Sequence, residues 1–305
     1  MCGIVGLLAR TPALQRSLGT LLVPMFHCMG ERGPDSAGLA VFDEMAMPGK
    51  RKVSLRAHGG PHLQGHAPAY DFEALEARVT RELDPGARLR PQANHALLVV
   101  DATAERIRAF FAEVAGITVL SIGHAIELYK DEGSPDAIAA KYGFPDRTGT
   151  HAVGHTRMAT ESAVSPAHAH PFTAGEDFCL VHNGSLSNPY KLRRMLEAQG
   201  IRFETDNDTE AACRFIEWRL AQGDDLETAI ERAFTELDGF YTLLIGTRGA
   251  LTLVRDPVAC KPAVVAETDD YVAVSSEYRA LAHLPGIEHA RIFEPLPERI
   301  YSWQP

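Results

Sequence analysis

Position 2 of the chain is a cysteine, and it opens the run Cys-Gly-Ile-Val-Gly-Leu-Leu over residues 2–8. An apolar run this short reads as a buried strand, so the fold takes its first core strand from the first residues of the chain. A small second residue also permits removal of the initiator methionine. Cys2 would then carry a thiol and a free α-amine on one residue. An α-amine titrates at about 7.7–8.0, so it can take the thiol proton and return it to a leaving group. A nucleophile served by its own terminal amine is a known route to covalent catalysis. Taken alone, Cys2 reads more readily as a small apolar residue beginning a strand, since free cysteine is often buried.

The remaining pattern is that of an ordinary α and β chain. Its 305 residues are enough to bury a core without staples. The net charge of −10, with no basic tract, argues against nucleic acid as a partner. It also provides no attraction to anionic membranes. No apolar run approaches the ~18 residues of a membrane span, and the N-terminus lacks the regions of a signal peptide. Five cysteines without a Cys-x-x-Cys pair fit a reduced, cytoplasmic setting.

Helical spacing predicts helices over 11–29, 70–83, 103–115, 188–199, 208–222 and 225–237, with Ser134 capping a shorter one to about 142. Asp208 and Thr209 read as the caps of the helix at 208–222. Strands are expected at 39–42, 51–57, 96–101, 117–128, 240–246, 251–255, 262–266 and 271–275, with a short helix over 276–282. The stretch at about 44–150 reads as an α/β block set into a single domain covering 2–305.

Chemistry-bearing residues gather in short motifs. These are Arg32-Gly33-Pro34-Asp35-Ser36-Ala37-Gly38, His155-Thr156-Arg157-Met158-Ala159-Thr160, His182-Asn183-Gly184 and Asn207-Asp208-Thr209-Glu210. Each is weak alone. Together with the opening Cys-Gly-Ile-Val-Gly, in this order, the set resembles the class II glutamine amidotransferases. The resemblance implies an αββα sandwich, the fold of the N-terminal-nucleophile hydrolases. It implies that Cys2 attacks the side-chain amide of glutamine through a γ-glutamyl thioester, and that Asn183 and the Gly184 N–H form the oxyanion hole. Arg157 would bind the substrate carboxylate, Asp208 its ammonium, and Thr160 would line the pocket. Arg32 would support the nucleophile end and brace Asn183. Met158 and Glu161 depart from the family pattern, in which several relatives carry Trp and His there.

Within the family, the stretch from Gly154 to Phe172, with His-Asn-Gly-Ser-Leu-Ser-Asn after it, resembles the amidotransferase subunit of N-methylglutamate synthase and glutamate-synthase-like complexes. That implies separate synthase subunits as partners, with flavin and an iron–sulfur cluster on them and no cofactor in this chain. Two alternatives stay open: a catalytically retired subunit that keeps the fold, and a stand-alone amidohydrolase of the same fold. His168-x-His170 hints at a metal site, but no third ligand lies at a characteristic spacing, so none is expected. Arg255-Asp256-Pro257 and Ser275-Ser276-Glu277 read as packing and turn-forming segments.

Overall fold

The computed structural model describes residues 2–43, 45–58, 70–159 and 163–305. The chain begins with β1 (Gly3–Ala9), α1 (Pro12–Arg16), α2 (Leu18–Cys28) and β2 (Ser36–Phe42). Next come β3 (Arg51–Ala57), α3 (Phe72–Glu82), β4 (Arg88–Gln92), β5 (His95–Val100), α4 (Ala104–Ala112) and β6 (Ile117–Gly123). Then follow β7 (Ile126–Glu132), α5 (Pro135–Lys141), β8 (His151–Arg157), β9 (Phe172–Thr173) and β10 (Phe178–Leu186). Three helices, α6 (Pro189–Glu197), α7 (Asp208–Ala221) and α8 (Leu226–Glu236), lead into β11 (Gly239–Thr247), β12 (Ala250–Arg255), β13 (Val264–Glu267) and β14 (Tyr271–Ser275). The last strands are β15 (Arg291–Phe293) and β16 (Tyr301–Trp303).

β1 explains the layering. Its successive side chains point to opposite faces, and both faces are buried. Val5, Leu7 and Ala9 join Leu22, Met25 and Phe26 of α2 and Ile138 of α5 in one core. Ile4 and Leu8 face the other way, onto Val181 of β10, Leu244 of β11 and Leu253 of β12. The far side of that second sheet, with Leu180, Leu243 and Ile245, is covered by Leu192, Phe215, Ile216 and Ile230 of α6–α8. The layers therefore run helix, sheet, sheet, helix, which is the αββα sandwich. The first sheet has the order β15-β13-β14-β1-β8-β2-β7, and the second β16-β12-β11-β10-β9. Ile4, Val5, Leu7 and Leu8 are almost wholly buried. At ~1.5–3 kcal/mol each, they keep the strand beside Cys2 from fraying as chain ends commonly do.

A third sheet, β4-β5-β3-β6, stands apart with its own core. Val53, Leu55 and Leu98 pack there against Leu75 and Val79 of α3 and Ile107 of α4. Its other face meets β7 through polar links: Lys52 to Glu127 at 3.0 Å, the Leu128 N–H donating to Ser54 Oγ at 2.8 Å, and Arg56 to Asp131 at 3.6 Å. This separately packed unit is narrower than the 44–150 block, because β7 finds its partner in β2 and α5 joins the sandwich core.

The single strand expected over 117–128 is two strands. Asp177 accepts the N–H groups of His124, Ala125 and Ile126 and so stabilises the turn between β6 and β7. The helix expected over 11–29 breaks at Ser17 into α1 and α2. The 276–282 helix is a single 3-10 turn, Tyr278–Ala280.

Candidate active site

β1 and β8 are antiparallel neighbours with Gly3 opposite Thr156. Cys2 and Arg157 therefore sit at the same end of adjacent strands. The turn after α2 folds over that end. A Cβ on Gly33 would lie 2.3–2.5 Å from backbone atoms of Thr156 and Arg157, so only glycine permits the approach. Asp35 then closes the joint: its N–H donates to the Arg157 carbonyl at 3.1 Å, and its carboxylate accepts the Ala159 N–H at 2.8 Å.

Arg32 does not reach for Asn183, contrary to the expectation from the motif. Its Nε donates to the Cys2 carbonyl at 3.1 Å, and its Nη1 pairs with Glu277 at 2.7 Å. The turn carries the guanidinium to the nucleophile's own backbone instead. Ser276 clasps the next residues: its hydroxyl accepts the Ile4 N–H, and its N–H donates to the Ile4 carbonyl, both at 3.0 Å. The Ser275-Ser276-Glu277 segment thus holds the start of β1 as well as forming a turn.

The second sheet brings the next group. His155 on β8 donates from Nε2 to the His182 carbonyl on β10 at 2.9 Å, joining the two sheets immediately before Asn183. Asn183 is 3% exposed, and its Nδ2 has no hydrogen-bond partner among the described residues. Gly184 has φ of +155°, and a Cβ there would sit 1.9 Å from the Phe240 carbonyl oxygen. Glycine is the residue this backbone admits.

Asp208 completes the group from the start of α7. It is not the helix cap: the Asn207 side chain takes that role by accepting the Thr209 N–H at 2.9 Å. The Asp208 carboxylate is left to accept the Leu186 N–H at 2.9 Å, with its other oxygen 3.7 Å from His182 Nδ1. Burial raises its proton affinity, but His182 and the amides of Leu186 and Thr209 outweigh it and hold the carboxyl at about 2. Asp208 is therefore an anion at any working pH.

The half-buried Cys2 thiol lies 3.9 Å from the Met158 carbonyl. Burial pushes its pKa up, with Arg157 pulling it down and Asp208 adding to the rise. Arg157 is 4% exposed, and its Nη1 donates to the Ala163 carbonyl at 3.1 Å. Cys2, Arg157, Asn183, Gly184 and Asp208 are thus gathered at one end of the sandwich. Thr160 and Glu161 lie outside the described residues.

Sequence reasoning named Thr209 as a cap, Asp35 within a motif and Ser276 and Glu277 within a turn segment, but assigned none of them the contacts they make at the site. The partner spacing, 245 residues for Arg32 and Glu277, leaves no local signal. The histidine pair at 168 and 170 divides its loyalties. His168 bonds Ser165 and Asp206, both at 2.6 Å, while His170 bonds Thr209 at 2.8 Å. Among the described residues no group of three or more His, Cys, Asp or Glu side chains is placed to hold a metal. Asp256 accepts the N–H groups of Tyr241, Val258 and Ala259, the turn-forming role read for its segment.

A sandwich of this kind, with a cysteine at the head of its central strand beside an arginine, an aspartate and an Asn-Gly pair, defines a class, and the comparisons agree: the chain belongs to the class II glutamine amidotransferases. A glutamine amidotransferase domain model matches residues 155–283. The glutamine amidotransferase-like protein GlxB of Rhizobium meliloti is 47% identical over 99% of this chain and 98% of its own length. A putative glutamine amidotransferase of Methanothermobacter thermautotrophicus is 31% identical over 99% of this chain and 100% of its own. The structure of glutamine phosphoribosylpyrophosphate amidotransferase from B. subtilis shares the fold, with a TM-score of 0.62 at 18% identity. That match covers 99% of this chain and 49% of the solved one. Among the described residues no helix is long and apolar enough to cross a membrane.

Proposed function

We propose that this chain releases ammonia from glutamine, with Cys2 as the nucleophile. The observation that supports the reading best is that the strand register and the His155–His182 bond bring Cys2, the buried Arg157 and the unpartnered amide of Asn183 to one end of the sandwich, with the ionised Asp208 bonded to the same strand as Asn183. A free amino acid carries both a carboxylate and an ammonium, and a buried charge of either sign requires a partner. Arg157 provides the planar fork that suits a carboxylate, and Asp208 provides the anion.

The steps follow from the groups. With the thiol's pKa raised by burial, attack requires a base, and the α-amine of a processed Cys2 is the nearest such group by covalent geometry. It takes the thiol proton as sulfur bonds to the amide carbon of glutamine. The carbonyl oxygen gains the negative charge, which Asn183 Nδ2 and the Gly184 N–H stabilise. Loss of one such donor typically costs ~10²–10³ in rate. The C–N bond breaks, the amine's proton leaves with ammonia, and a γ-glutamyl thioester remains. Water then cleaves the thioester, giving glutamate and regenerating the thiol.

We further propose that the ammonia, or the glutamyl product, serves a separate synthase partner of the N-methylglutamate synthase or glutamate synthase kind. That partner would carry the flavin and iron–sulfur chemistry. The support is the extended sequence match from Gly154 to Phe172. Replacing Cys2 by alanine should abolish glutamate release from glutamine and leave the melting temperature unchanged. Retained turnover in the Cys2→Ala chain refutes the nucleophile.

A further inference from the structure

Behind the site, one hydroxyl holds three charged or polar side chains. Thr209 Oγ1 lies 2.8 Å from His170 Nε2, 2.9 Å from His182 Nδ1 and 3.4 Å from Asp208 Oδ1. Thr209 is 1% exposed, and both imidazoles are 3% exposed. A hydroxyl has one proton and two lone pairs. One arrangement uses the whole hydroxyl: the proton goes to the Asp208 carboxylate, and each imidazole donates one N–H to the oxygen, its other ring nitrogen having no partner among the described residues. His170 is further packed against His155, ring centroids 4.0 Å apart, and His155 in turn donates to the His182 carbonyl. The carboxylate and the peptide that presents Asn183 are therefore referenced to the same hydroxyl.

We propose that Thr209 is the positioning residue for glutamine's α-ammonium: its hydroxyl aims the Asp208 carboxylate and fixes the His182 ring against which that carboxylate rests. The proposal rests on the glutamine reading above. Without the hydroxyl, two buried imidazole N–H groups lose their acceptor, and Asp208 Oδ1 loses its donor while Oδ2 stays on Leu186. The carboxylate keeps the amides of Leu186 and Thr209 and the nearby His182 ring but loses the hydroxyl that aims Oδ1. Cys2, held by Arg32 and by the clasp on Ile4, does not move with it.

The test is protection of Cys2 from iodoacetamide by excess glutamine, followed by mass. Iodoacetamide needs no amino-acid recognition, so its unprotected rate reports the thiol alone. In Thr209→Val, close to the same shape, the half-protecting glutamine concentration should rise about tenfold, with the unprotected alkylation rate within about twofold. Thr209→Ser, which keeps the hydroxyl, should protect like the parent. Thr209→Ala provides the same loss of hydroxyl if the valine chain does not fold. Equal protection in the parent and in the hydroxyl-less chains overturns the assignment of Thr209 and leaves the glutamine reading standing. An altered unprotected rate also overturns it, because the hydroxyl would then act on the thiol's surroundings. A parent chain whose Cys2 reacts but is never protected by glutamine overturns both.

Discussion

Gly184→Ala is the sharpest perturbation of the site that adds no charge and removes no functional group. The new Cβ would sit 1.9 Å from the Phe240 carbonyl oxygen and 2.8 Å from Tyr241 Cα, both on β11, with φ at +155°. Close C···O contacts in proteins run at about 3.3–3.6 Å. Relief therefore demands more than ~1 Å of separation between β10 and β11, or a turn of the 183–184 peptide. The backbone strain alone is of order 1–3 kcal/mol. If this peptide presents the oxyanion donors, such a shift is equivalent to losing one of them, ~10²–10³ in kcat.

The assay is glutamate release, read beside thermal melts and beside Gly246→Ala. That control puts a Cβ 2.7 Å from the Phe42 ring, at the far end of the same strand pair. Both variants should melt below the parent, and only Gly184→Ala should lose kcat by at least ~100-fold. A folded Gly184→Ala chain with kcat within about threefold of the parent would remove this peptide from the oxyanion pocket.

Two further outcomes are expected. If Asp208 binds the ammonium of glutamine in the ground state, Asp208→Asn should raise the KM for glutamine more than it lowers kcat; an unchanged KM contradicts that role. Asp131, 5% exposed, is subject to burial that raises its pKa, which Lys141 and the Tyr142 hydroxyl overcome to hold it at about 2. A depressed pKa contributes stability above the unfolded value and loses it as pH falls through the folded one. Asp131→Asn should therefore cost on the order of 2 kcal/mol near pH 7 in urea melts, with the gap to the parent closing between about pH 4 and pH 2. A gap independent of pH would contradict the ionic origin.

What was legible in the sequence was local. β1, α5 with its Ser134 cap and the helices α6–α8 follow from periodicity and capping residues that act within a few positions. β4 escaped notice because it is an edge strand whose exposed Arg88, Arg90 and Pro91 lack apolar alternation. β15 and β16, three residues each, are too short to carry a period. The motifs name Cys2, Arg157, Asn183, Gly184 and Asp208 as candidates but not the contacts that hold them. The Arg32–Glu277 pair and the triad around Thr209 are made by tertiary contact between distant segments. Reading Asp208 as a cap assigned to it the bond that Asn207 makes; its carboxylate instead accepts the Leu186 N–H.

The central claim is that a processed Cys2 reacts with glutamine's side chain in a pocket that recognises the free amino acid. A diazo-ketone analogue of glutamine, followed by intact mass and peptide mapping of the chain with its co-purified partners, tests this directly. The account predicts one adduct, on a Cys2 that has lost Met1. A chain whose processed Cys2 takes iodoacetamide but not the diazo-ketone, or whose adduct maps elsewhere, contradicts it.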